Sequence, residues 1–173
     1  MNINRLWHSL RLYTTFHSAK RGEYLRKHKL FHHIGKNVRI PAMLLPLYPE
    51  LISLGDNVEL ASGVKLVTHD AIHGVLRHKN DGETFHENIG CIQIGSNCFI
   101  GANSIVLGNV KIGDNVVVAA GSVINRDLPS GGVYGGIPAR RLGDFDRLEE
   151  KRRHVKPYTG AEDHWREFDQ SRQ

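Results

Sequence analysis

The sequence predicts an all-β solenoid, a coil of short parallel strands, on three observations. First, a branched aliphatic residue returns at every sixth position: Ile94, Ile100, Val106, Ile112, Val118 and Ile124. Helices repeat near 3.6 residues and strands every second residue, so neither makes this period alone. Ile, Leu and Val are roughly a quarter of the chain, so six chance hits have a probability on the order of 2 in 10,000. Second, the hexads usually follow their aliphatic residue with Gly or Ala and two polar residues, as in "IGSNCF", "IGANSI" and "IGDNVV", with Leu107 breaking the second position. A short strand supplies a flat side, and Gly-Asx pairs supply the turn because Asn and Asp tolerate left-handed backbone. Third, the same register occurs upstream at Ile34, Ile40, Leu54, Leu60 and Leu66. Three such sides close a triangular coil of about 18 residues, whose aliphatic side chains stack inward.

The elements follow in chain order. Residues 1–33 are rich in Arg, Lys, His and aromatics; Leu6, Leu10 and Tyr13 fall at helical spacing, as do Tyr24, Leu25 and His28. This predicts an N-terminal helical segment, read as a solvated cap, with a basic arm for membrane or nucleic acid as the alternative. Residues 34–142 hold the coil, which lapses through "PAMLLPLYPELIS" and is broken by a polar, unperiodic loop over 70–88. Residues 143–173 form a strongly charged tail expected to end in a helix.

Bulk properties narrow the class. With 173 residues, 40% hydrophobic and 24% charged, the chain suits one domain with a real core. Nothing approaches the ~18 apolar residues of a membrane span, and the first residues predict no signal peptide. Cys91 and Cys98 are not spaced as a metal-ligand pair; free thiols in a reducing cytoplasm are the expectation. A net charge of +5 suits an anionic partner: nucleic acid, an acidic membrane surface or a phosphorylated cofactor. The basic residues are scattered without interleaved aromatics, so nucleic acid is not the expected partner.

The hexads, "LVTHDAIHGVLR" over 66–77 and "VAAGSVINRDLPSGGVYGGIPARRL" over 118–142 together resemble the hexapeptide-repeat acyltransferases. The likeness is greatest to bacterial O-acetyltransferases of sugars and cell-surface polysaccharides, and it runs from about Ile34 to Leu142. The resemblance implies a left-handed parallel β-helix, a hand that periodicity does not reveal and that opposes the general rule for parallel crossovers. It also implies a homotrimer with active sites between neighbouring prisms, and a 70–88 loop that reaches across that interface.

The implied reaction moves an acetyl group from acetyl-CoA to a saccharide hydroxyl, with no metal. It needs a base for the alcohol proton and donors for the oxyanion. His69 matches the family's catalytic histidine; without the resemblance it ranks little above His73, His78 and His86. Sugar acetyltransferases usually carry Pro after this His, where this chain has Asp70, read as fixing the turn into the loop. The resemblance places Ala102 where a main-chain N–H meets the oxyanion and Ala120 along the pantetheine arm. It places Asn125, Arg126 and Arg140 near the nucleotide phosphates, for which Arg is a planar, permanent donor. A second family arginine falls at Gly143, leaving Arg141 as its substitute. Galactoside-type relatives supply polar side chains to the sugar where this chain has Pro41 and Pro49, with Tyr48 and Glu50 nearby. The acceptor therefore stays open.

Other readings share the coil. An N-acetyltransferase on an amino sugar would use the same mechanism. A zinc enzyme like γ-class carbonic anhydrase would use interface histidines, and His28/His33 and His73/His78 have the right spacing; neither pair lies on stacked rungs. A non-catalytic scaffold is the third.

Overall fold

The computed structural model describes residues 3–172. Helices α1 (Ile3–Thr14) and α2 (Ser18–Lys27) lead into β1 (His33–Ile34). The next circuit holds β2 (Ile52–Leu54), β3 (Val58–Leu60) and β4 (Lys65–Val67), and is followed by α3 (Ile72–Lys79). Then come β5 (Ile92–Ile94), β6 (Cys98–Ile100) and β7 (Ile105–Leu107), and after them β8 (Val110–Ile112), β9 (Val117–Val118) and β10 (Val123–Ile124). Strands β11 (Gly132–Gly135) and β12 (Arg140–Asp144) and helices α4 (Phe145–Arg153) and α5 (Ala161–Gln170) finish the chain.

The strands visit three sheets in rotation: β1-β2-β5-β8 in the first, β3-β6-β9-β11-β12 in the second, β4-β7-β10 in the third. Every pairing among these is parallel except β11 with β12. All eleven predicted hexad positions point inward and are buried, from Ile34 through Ile124. Each is worth about 1.5–3 kcal/mol relative to exposure, so the stacked aliphatics are the main source of cohesion.

The corner between the first and second sheets explains the Gly-Asx motif. Asn37, Asn57, Asn97 and Asn115 take positive φ there. Their amides form a ladder, Asn37 to Asn57 at 3.0 Å, Asn57 to Asn97 at 2.8 Å and Asn97 to Asn115 at 2.9 Å. Beside it, Asp56, Ser96, Asp114 and Ser130 side chains accept from backbone N–H groups of the preceding circuit, at 2.6–3.1 Å. Glycine precedes the first three of these because circuits touch: a Cβ on Gly95 would lie 2.7 Å from the Gly113 carbonyl carbon.

Three features differ from expectation. The N-terminal segment is no solvated cap: Leu12 and Leu25 belong to the same buried cluster as the coil. Arg21 is buried and donates to the Leu12 and Ile40 carbonyls at 2.8 and 3.1 Å. Leu6, Leu10 and Tyr13, which marked α1 as amphipathic, face outward. The loop read as unperiodic contains α3, none of whose residues is buried; Ile72, Val75 and Leu76 do fall at helical spacing, but two turns are too short for that period to stand out.

Candidate active site

His69 sits where the chain leaves the coil after β4. The two ends of the 70–88 loop are zipped together there: His69 forms an antiparallel bridge with Ile89. The Asp70 N–H donates to the Asn88 carbonyl at 3.1 Å and the Gly90 N–H to the Thr68 carbonyl at 2.7 Å. The Asp70 carboxylate accepts from the Ile72 N–H at 3.0 Å and the Asn88 amide at 3.1 Å. Those bonds, the Ile72 one foremost, hold its pKa below the usual value. Asp70 thus fixes the turn into α3.

Two groups absent from the sequence prediction of catalysis complete the surroundings. Glu87, from the end of the loop, places Oε1 3.9 Å from His69 Nε2; the two side chains are 30% and 23% exposed, His69 first. The Tyr48 hydroxyl donates to Glu87 Oε2 at 2.6 Å. That hydrogen bond to the carboxylate raises the Tyr48 pKa. Tyr48 also meets the His69 ring edge-on, with centroids 5.6 Å apart. On the inner side, His69 Nδ1 is buried with no partner among the described residues. Nothing in the sequence spacing pointed to Glu87, because only closure of the loop brings residue 87 back to residue 69.

His69 separates two hollows. One, of about 370 Å³, is a groove lined by Arg5, Tyr13, Leu44, Leu47 and Val67 among others. The second, of about 190 Å³, opens between Asn88, Leu107 and Asn109.

The other predicted residues fall into two groups on opposite borders of the third sheet. Ser62, Ala102 and Ala120 stack at the border where that sheet begins, since Asn103 N–H donates to the Ser62 carbonyl at 2.9 Å and Gly121 N–H to the Ala102 carbonyl at 2.8 Å. No described residue accepts from the Ala102 or Ala120 N–H. Arg140 is exposed near this border, held by Ala139 N–H donating to the Val123 carbonyl at 2.8 Å. Asn125 and Arg126 lie exposed at the far border, beyond Ile124, which pairs with Val106, itself paired with Leu66. His69 is at this far border too. Ser62 and Gly63 turn, and from Val64 to His69 the chain rises about 3.3 Å per residue, which puts the Ala102 N–H roughly 15–20 Å from the imidazole of the same chain. Arg141 is engaged by Asp144 at 2.5 Å and does not stand free as the missing arginine's substitute. Among the described residues no group of three His, Cys, Asp or Glu gathers as a metal site. No helix among them is long and apolar enough to cross a membrane.

Residues 91–126 match the family described as bacterial transferase hexapeptide (six repeats). The match covers the central coils, and in them this chain is similar to hexapeptide-repeat transferases. It is 33% identical over 127 residues to the galactoside O-acetyltransferase of Escherichia coli K12, covering 73% of this chain and 60% of that one. It spans about three fifths of the length of the curated relatives it matches. A maltose O-acetyltransferase from Clostridium difficile 630 has a similar structure, with TM-score 0.63, 28% identity, and coverage of 82% of this chain and 84% of that one. A galactoside acetyltransferase in complex with coenzyme A shares the fold, with TM-score 0.62, 24% identity, and coverage of 92% and 87%.

Proposed function

We propose that this chain is an acetyl-CoA-dependent O-acetyltransferase acting on a saccharide hydroxyl, built on a left-handed parallel β-helix and working as a homotrimer. The observation that carries the reading is His69: in a chain akin to sugar O-acetyltransferases, it lines a groove with its side chain 30% exposed and its Nε2 faced by a carboxylate. The small residues Ala102 and Ala120, with uncommitted N–H groups, suit a slender thioester arm lying along their border.

Acetyl-CoA supplies an activated acetyl thioester. His69 takes the acceptor hydroxyl's proton on Nε2 as the oxygen attacks, and Glu87 steadies the positive ring that results. The Ala102 N–H donates to the carbonyl oxygen as it becomes negative. The imidazolium then returns its proton to the departing thiolate. Because Ala102 and His69 of one chain lie apart, the Ala102 that serves a given His69 comes from a neighbouring copy. Arg140 of that neighbouring copy, together with Asn125 and Arg126 of the copy that carries His69, holds the nucleotide end.

The test is thiol release from acetyl-CoA over free sugars, oligosaccharides and nucleotide-sugars, with His69→Ala as the control. Turnover that persists at full rate in His69→Ala overturns the reading. A product stable to mild base is an amide and transfers the proposal to an amino-sugar acceptor.

A further inference from the structure

Helix α1 is mounted with its faces reversed. The side turned to the protein carries Arg5, His8 and Ser9 beside Leu12. Ser9 accepts from the Leu45 N–H at 3.1 Å, and Arg5 donates to the Leu45 carbonyl at 2.8 Å. His8 Nδ1 is bonded to the Tyr24 hydroxyl at 2.7 Å. The side turned outward carries Ile3, Leu6, Trp7, Leu10 and Tyr13, with Trp7 58% and Leu10 55% exposed. An apolar stripe normally faces the core, and a contiguous exposed one marks a binding surface.

Charge selects the occupant. Residues 1–40 hold nine Lys and Arg against one acidic residue, whereas the remaining residues hold fourteen against seventeen. Arg5 and Arg21 are committed within the chain, but Arg11, Lys20, Arg26, Lys27, Lys29, Lys36 and Arg39 are exposed. Copies meeting through this region would bring like charges together. An anionic bilayer meets both demands at once: apolar side chains enter the boundary with the acyl chains, Trp and Tyr sit at headgroup level, and the basic residues face phosphates. We propose that the outward face of α1 docks this protein on an anionic lipid surface.

The test uses the full chain with vesicles of phosphatidylcholine alone or with about a third phosphatidylglycerol. In a Trp165→Phe background Trp7 reports its own environment. Expected are co-sedimentation and a blue shift of Trp7 emission with the anionic vesicles, weakening as salt rises, and a loss of partitioning of about tenfold or more in Leu10→Glu. Trp7→Ser, followed by co-sedimentation, serves if Leu10→Glu misfolds. Failure to bind, equal binding to both vesicles, or unchanged binding in the variants overturns the proposal. So does a Leu10→Glu variant that falls apart to smaller species by light scattering, which would make this face an interface between copies. Neither readout involves acetyl transfer, so failure here leaves the proposed activity standing.

Discussion

Glu87→Gln is close to isosteric and keeps an oxygen for the Tyr48 hydroxyl while removing the charge 3.9 Å from His69. A unit charge at ~4 Å is worth about 1 kcal/mol in bulk water and more near a protein surface. Transfer is therefore expected to fall roughly tenfold in kcat with little change in KM for acetyl-CoA. His69→Ala is expected to cost about 10²–10⁴. Steady-state thiol release checks both, and an unchanged kcat in Glu87→Gln would remove the carboxylate from the mechanism. Single residues were unevenly legible. His69 could be read because a motif surrounds it, and Asn97 because its corner repeats. Glu87 could not, since its position depends on where a 19-residue excursion ends rather than on any local pattern.

At the scale of elements, the corner column and α1 make separate predictions. Asn97→Ala loses two amide hydrogen bonds and places a Cβ residue without Asn's local compensation at φ 57°. About 3–4 kcal/mol of destabilisation is expected in urea unfolding, summing roughly 1–2 for the backbone and 1 for each of the two hydrogen bonds. Asn97→Gly keeps the backbone freedom and should lose less; if both variants are equally stable, the left-handed turn is not what selects Asn. Helix α1 responds to pH. Burial, then the charge of His28, lowers the His8 pKa below the ordinary imidazole value of about 6.5. The folded state prefers neutral His8, so its contribution is present above pH 6.5 and is lost as pH falls through the lowered value. Protection of the α1 amides, taken relative to the intrinsic exchange rate at each pH, should fall between about pH 7.5 and 5; protection that is flat over that range sinks the assignment. Helix existence was legible here from spacing, but orientation was not. An apolar stripe tells which residues share a face, while the polar contacts of Arg5, Ser9 and His8 decide which face turns inward.

For the whole molecule, the separation of His69 and Ala102 along one coil side, roughly 15–20 Å by strand rise, is the decisive feature. Mixing His69→Ala with Ala102→Phe should restore activity that neither variant shows alone, because a site between copies can combine an intact His69 with an intact Ala102. Co-refolded mixtures, checked by light scattering for mixed oligomers, provide the measurement; no recovery in verified mixtures contradicts a shared site. The coil itself was readable almost entirely, since stacking imposes one period on every circuit. Assembly leaves no such period.

Matching asparagines lie 18 residues apart between the β5 and β8 circuits and 40 apart across the 70–88 loop. An excursion of 22 additional residues is thus absorbed at one corner without displacing a single rung. Evolution or an engineer can lengthen, shorten or exchange that flap while the scaffold stays put. Because the flap delivers Glu87 to the imidazole, swapping it between kindred proteins would recast acceptor choice and proton handling in one move.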